Sequence, residues 1–237
     1  MHTIPLPALA VPLPPVAVGG TSAALPHTPA LPASLRDMPG LQLQFSKGAV
    51  LFRPSEPAET LFLVRQGRVK LARVADDGRE SVIDILSVGD TFGELALFGQ
   101  RVRHEQASAL DDVAVTRWGV EEVRRVLQTD PQMATWLAGL LGQRLEAARD
   151  HVQTLSFDPI PKRLARVLLE HVRRFGTGRQ DGWVRILPLT HEALAQQVAT
   201  SREIITHYMI EFRERGILQY SRKAIDVRPD QLTALLR

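Results

Sequence analysis

LTHEALAQQVATSREIITHYMIEFRER, residues 189–215, is the stretch whose reading decides the fold. Its apolar spacing predicts two short helices joined by a tight corner. The first runs from about His191 to Val198 and carries Leu194, Ala195 and Val198 on one face. The second starts near Ser201 and places Ile204, Ile205, Met209 and Phe212 on its apolar side. Between them Ala199-Thr200 leaves room only for a turn. That layout is a helix-turn-helix, in which the second helix enters the DNA major groove. Arg202 and Glu203 open this second helix. An arginine can donate a pair of hydrogen bonds to guanine O6 and N7, and a glutamate can accept one from cytosine N4. A plainer reading stands beside it: Thr200 followed three residues later by Glu203 fits a capping box, which would only secure the helix start.

Outward from this core, charge divides the chain. From Ser156 onward, 14 Lys and Arg face 9 Asp and Glu, whereas the preceding part holds 15 against 17. A basic second half joined to a mildly acidic first half suits a nucleic-acid module tethered to a sensor. After Gly216, Ile217–Tyr220 and Ala224–Val227 predict a hairpin turned by Ser221-Arg222-Lys223, a wing whose Arg222 and Lys223 would meet phosphates. Trp183–Leu187 predicts a short strand ahead of the two helices, and Gly176–Gly182 a loop. Asp158-Pro159-Ile160-Pro161 stops one helix and caps the next, Lys162–Phe175, with a hinge near Phe157.

From Leu41 to Arg117 the pattern is one of short strands: Leu41, Leu43 and Phe45 alternate with polar residues, and Leu61–Val64, Val69–Val74 and Val82–Leu86 are β-rich. Gly67, Gly78 and Gly89 punctuate them evenly, and Asp77-Gly78 is a hairpin turn. Such a pattern predicts an antiparallel roll or small barrel, filled by side chains or holding one small ligand. Phe92-Gly93-Glu94-Leu95-Ala96-Leu97-Phe98 interrupts the strands. Gly93 and the amides after it could cradle an anion, and Arg103 could pair with a phosphate. Alternatively Leu95, Leu97 and Phe98 plug the roll. Gly119 to Leu155 reads as helix, with Asp130-Pro131 opening its long portion. There Ala134, Ala138, Leu141, Leu145, Ala148, Val152 and Leu155 follow heptad spacing, a seam suited to pairing with a second copy of the chain.

The order of parts, with FGELALF and TSREII, resembles the cyclic-AMP receptor protein (Crp–Fnr) family over roughly Leu41 to Arg228. The resemblance implies an α+β chain. A 1–36 Pro/Ala-rich tail precedes a 37–118 β-roll that senses an effector. A 119–156 helical segment dimerises, and a 157–237 winged helix-turn-helix binds DNA. It implies a cytoplasmic bacterial transcription regulator, a homodimer on palindromic double-stranded DNA that works with RNA polymerase. Arg202 and Glu203 coincide with the pair reading a TGTGA-type half-site. His207 stands where a further base-contacting Arg is usual, and His191 where a basic contact is usual. Thr190 and Ser201, at the two helix starts, are counted with them. Ala199 stands where Gly is common, at some cost in backbone strain.

The effector set implied by the resemblance is Gly93, Glu94, Leu95, Arg103 and His104, with Ala148 and Arg149 on the long helix. It implies cyclic AMP or another cyclic nucleotide. Two positions depart from it: His104 replaces a small hydroxyl residue, and Ala148-Arg149 replaces a Thr-Ser pair that contacts adenine. An Arg149 that fills the pocket itself would make the chain effector-independent. Histidines 104 and 151 are open to haem or, more plainly, are surface side chains.

Other classes find little support. The absence of cysteine removes disulfides, thiolate metal sites and a cysteine-ligated iron–sulfur cluster. No run of about 18 apolar residues suggests a membrane span. No catalytic constellation marks an enzyme: His104-Glu105 and His191-Glu192 begin like zinc-protease motifs, but Ser108 and Ala195 stand where the second His belongs. A ligand-sensing dimerisation module without DNA binding is disfavoured by Arg202 and by Arg222-Lys223. The first 35 residues hold 8 of the 16 prolines and no Asp, Glu, Lys or Arg, which predicts an extended tail, with Met38 an alternative start of the folded part. The tail lacks the basic start of a secretory signal.

Overall fold

The computed structural model describes residues 29–221 and 223–237. The predicted roll is two four-stranded sheets. One has the order β1 (Leu41–Phe45), β8 (Val113–Gly119), β3 (Thr60–Gln66), β6 (Thr91–Phe92). The other runs β2 (Val50–Phe52), β7 (Gln106–Ala109), β4 (Val69–Val74), β5 (Glu80–Leu86). The pairings β1–β8, β3–β8, β3–β6 and β2–β7 are antiparallel. Gly67, Gly78 and Gly89, each at positive φ, turn the chain between strands. The interior is filled by aromatic rings. Phe62 and Phe92 are cross-strand partners stacked 4.9 Å apart, and Phe52 tilts against them at 5.9 and 6.0 Å. Val64, Val69, Leu71, Leu86, Ala107, Val113 and Val115 close around the rings.

Two features at this end correct the sequence-level picture, and a third, the cap at Asp130, follows it. Helix α1, Ala33–Arg36, lies inside the stretch expected to be an extended tail. Burial of Leu35 and a 2.5 Å hydrogen bond from the Ser34 hydroxyl to Asp130 hold it there. Folded structure therefore begins upstream of Met38. The rest of the expected tail, residues 1–28, lies outside the described residues. The 3-10 turn Glu94–Phe98 does not plug the roll with Leu95 and Phe98, which are exposed; Glu94, Ala96 and Leu97 are its buried members. The long helical region is broken into α2 (Val120–Thr129) and α3 (Pro131–Phe157) at Asp130, whose carboxylate accepts the backbone N–H of Gln132.

Along α3, Met133, Trp136, Leu137 and Leu140 recur at helical spacing and are the buried positions. The heptad seam is a different face: Ala134, Ala138, Leu145, Ala148 and Val152 are exposed, and Leu141 and Leu155 half-buried. Among the described residues no helix is long and apolar enough to cross a membrane.

After a break at Asp158-Pro159, α4 (Ile160–Phe175) begins two residues earlier than predicted. The expected loop at 176–182 contains a two-residue strand, β9 (Thr177–Gly178), and a 3-10 turn. Then come β10 (Val184–Ile186), α5 (His191–Val198), α6 (Arg202–Glu214), β11 (Leu218–Tyr220), β12 (Ile225–Val227) and α7 (Pro229–Ala234). The four short strands form one sheet in the order β11-β12-β10-β9. Leu164, Ala165 and Leu168 from α4, Leu194, Ala195 and Val198 from α5, and Ile205, Met209 and Phe212 from α6 make a single core with Leu218, Ile225 and Val227 of the sheet.

Candidate nucleic-acid interface

The corner between α5 and α6 sets the geometry. Thr190 caps α5, its hydroxyl oxygen accepting the backbone N–H of Ala193 at 3.0 Å. The helix ends when Ala199 turns left-handed, with φ 56° and ψ 59°, and the Thr200 N–H closes back on the Ala195 carbonyl at 3.0 Å. A side chain in that region costs about 1–2 kcal/mol, so the corner is strained. Ser201, not Thr200, then caps α6: its hydroxyl oxygen accepts the Ile204 N–H at 3.4 Å. The capping-box alternative is therefore off by one position. Glu203 nonetheless touches the helix start, since its own backbone N–H and then the Ser201 hydroxyl hold its carboxyl below the ordinary range. Those bonds are at the surface, where water exchanges readily with them.

Which side of α6 faces outward follows from its burial. Ile205, Met209 and Phe212, at i, i+4 and i+7, are fully buried. Arg202, Glu203 and His207 are exposed. Ile204, expected on the apolar side, is exposed too. The reason is angular: a helix turns about 100° per residue, so neighbours of a buried position point away from it.

His191 behaves differently from the others. It is half-buried, with Nδ1 2.9 Å from the Thr206 hydroxyl and its ring edge-on to Tyr220 at 5.6 Å. The single hydroxyl proton of Thr206 goes to the Arg202 carbonyl at 2.9 Å, so His191 is the donor, through Nδ1–H. Burial, then the Arg202 charge, lower the His191 pKa. This histidine therefore braces α5 against α6 as a neutral ring rather than offering a fixed cation. The Arg213 guanidinium lies over the Tyr220 ring, 5.4 Å from its centre.

At the hairpin tip, Lys223 is exposed, and its backbone N–H is held by the Ser221 hydroxyl at 3.2 Å. Arg222 lies outside the described residues. The sheet beneath is tied by Asp226, which accepts two bonds from Arg185, at 2.7 and 2.8 Å, and one from Arg179 at 3.1 Å. Sequence reading missed Thr206, Tyr220, Arg213 and Arg163. The last donates to the Leu155 and Asp158 carbonyls, both at 2.8 Å, and so clamps the end of α3 to α4. No sequence pattern marks a guanidinium reaching backbone carbonyls five and eight residues back.

Of the candidate effector residues of the roll, Glu94 and Arg103 are buried, whereas Leu95 and His104 are exposed. Arg103 is buried, donating to the Gly93 carbonyl at 3.2 Å, the Thr60 carbonyl at 2.5 Å and the Thr60 hydroxyl at 3.0 Å. Its guanidinium lies 4.5 Å over the Phe52 ring. Burial lowers its pKa, opposed by Glu105, Glu94 and Glu56. Gly93 is required twice: its φ is +83°, and an added Cβ would come within 2.8 Å of both Arg103 and the Thr60 carbonyl. What approaches the Gly93 backbone closely is thus Arg103. His104 is exposed, as is His151, and no metal-holding cluster occurs among the described residues. On α3, Arg149 pairs with Glu146 at 3.7 Å, and both side chains are well exposed. Ala148 and Arg149 line a shallow groove with Val152, Gln153, Ser156 and Phe157, all from α3 itself.

Known proteins share both halves of this arrangement. Residues 42–130 match the cyclic nucleotide-binding domain and residues 162–235 the Crp-like helix-turn-helix domain. The chain is 31% identical to the CRP-like cAMP-activated global transcriptional regulator of Mycobacterium tuberculosis, over 77% of this chain and 82% of that one. It is 31% identical to the global nitrogen regulator of Synechococcus elongatus, over 78% and 84%. Among solved structures, a CRP/FNR-family transcriptional regulator from Thermus thermophilus aligns with a TM-score of 0.69 at 27% identity, covering 82% of this chain and 97% of that one.

Replacing Ala199 by Gly removes the strained Cβ at the corner. Thermal denaturation should show stabilisation of roughly 1 kcal/mol; a destabilised variant would mean that the corner is not strained.

Proposed function

The chain belongs to the Crp–Fnr family, and from that premise we propose that it is a DNA-binding transcription regulator, acting as a homodimer on a two-fold symmetric site. One observation carries the reading. Burial of Ile205, Met209 and Phe212 leaves Arg202, Glu203 and His207 outward at the start of a helix braced by a second helix. Arg202 and Glu203 suit a G·C pair, and a TGTGA-like half-site follows from their match to the family. Ser201 and Thr190, at the two helix starts, and Lys223 with Arg222 on the wing supply phosphate contacts. The exposed heptad seam of α3 supports the dimer, because an apolar stripe of this length in water favours association. RNA polymerase as a further partner, the cytoplasm as the location and the absence of catalysis follow from the family reading.

For the effector, the domain match supports a cyclic nucleotide, with Gly93, Glu94, Leu95 and Arg103 at its phosphate and ribose end. Arg103 directs three of its five N–H donors to Gly93 and Thr60, three phenylalanines pack the roll, and Ala148-Arg149 stands in place of the Thr-Ser pair that the resemblance implies. A second reading, DNA binding without an effector, rests on these side-chain features alone. Arg149, which would fill the pocket on that reading, is well exposed and pairs with Glu146 at the surface.

Three measurements check these readings. Arg202→Ala should cost about 1–3 kcal/mol at one base pair and relax selectivity there; equal weakening on every sequence would make Arg202 a backbone contact only. Leu141→Glu with Leu145→Glu should sediment as a monomer and bind palindromic duplex poorly, and a persistent dimer would remove the seam. Millimolar cyclic AMP should raise operator affinity about fivefold or more in a fluorescence titration, whereas an unchanged affinity would favour the effector-independent reading.

A further inference from the structure

The first turn of α6 carries an apolar side chain that its own domain covers only in part. Ile204 is 38% exposed in the first turn of α6, whereas Ile205 beside it is fully buried. Its sequence neighbour Glu203 is exposed, as is His207 one turn on. Its backbone N–H is held by the Ser201 hydroxyl, which leaves the side chain itself to be explained. Helix propensity does not explain the residue either, since a β-branched side chain is a weaker helix former than most. A single exposed isoleucine is ordinary on a protein surface. This one projects from the few residues that, on the regulator reading, lie against base edges. The major groove offers one apolar group there, the 5-methyl of thymine.

We propose that Ile204 is a specificity-determining residue that reads the methyl group of a thymine in each half-site. The proposal rests on the DNA-binding reading above and adds to it a second kind of recognition, apolar contact beside the polar pairing by Arg202 and Glu203. Because Ile204 and His207 are i, i+3 neighbours, the thymine lies next to the base pairs that Arg202, Glu203 and His207 face.

The test uses the full chain and a duplex selected from a random pool. Each thymine of the selected site is replaced singly by deoxyuridine, which pairs identically and lacks only the methyl. Wild type should lose roughly fourfold at one position per half-site, and roughly fifteenfold when both half-sites are changed. Ile204→Ala should bind thymine and uracil duplexes alike while keeping its preference for the G·C pair. Ile204→Val, which retains an apolar branch, should keep part of the difference. Arg202→Ala should keep all of it. The proposal is overturned if wild type ignores every deoxyuridine, or if Ile204→Ala still discriminates. In either case selection of a common sequence leaves DNA reading standing. If the pool yields no preferred sequence, the regulator reading falls, and the thymine contact with it.

Discussion

Burial of three side chains, Ile205, Met209 and Phe212, is the constraint on which the DNA-facing half depends. They lock α6 against Leu194, Ala195 and Val198 of α5 and against Leu164 and Leu168 of α4. A helix held along one stripe can present only the opposite side to a ligand. The apolar core thus decides which polar residues are available, although none of its members could touch DNA. The left-handed Ala199 serves the same end, because it brings α6 off α5 at an angle that buries both apolar stripes together. Strain at one residue is offset by a core of fifteen.

Polar contacts refine what the core establishes. His191, Thr206 and the Arg202 carbonyl form a short chain of hydrogen bonds from the start of α5 to the start of α6. An edge-on ring contact with Tyr220 adds a link from His191 to the wing. The backbone that carries Arg202 is therefore held from two sides, which limits the reorganisation that binding would require. Asp226, with Arg185 and Arg179, does for the sheet below what His191 does for the helices.

The roll shows a similar economy in another chemistry. A lone buried guanidinium is costly, but Arg103 has two carbonyls and a hydroxyl to donate to, an aromatic face beneath it and three carboxylates nearby. Gly93 exists to let that happen. In the domain that matches the cyclic nucleotide-binding family, Arg103 thus takes part in holding the fold together.

Periodicity alone was enough to locate α5 and α6, the strands at 61–64 and 69–74, and the glycine turns, because those features are local: a repeat of 3.6 or 2 residues, or a φ that only glycine adopts freely, is written in adjacent letters. The place of Arg202 and Glu203 at the start of a helix was legible too, since a capping hydroxyl precedes them. The direction of Ile204, the bracing role of His191, the inward turn of Arg103 and the helix at Ala33–Arg36 were not. Each depends on a partner far away in the chain or on one step of helical rotation, Ser34 with Asp130 and His191 with Tyr220 among them. Sequence could say which residues carry chemistry; only packing decided whether that chemistry faces the solvent or the protein itself.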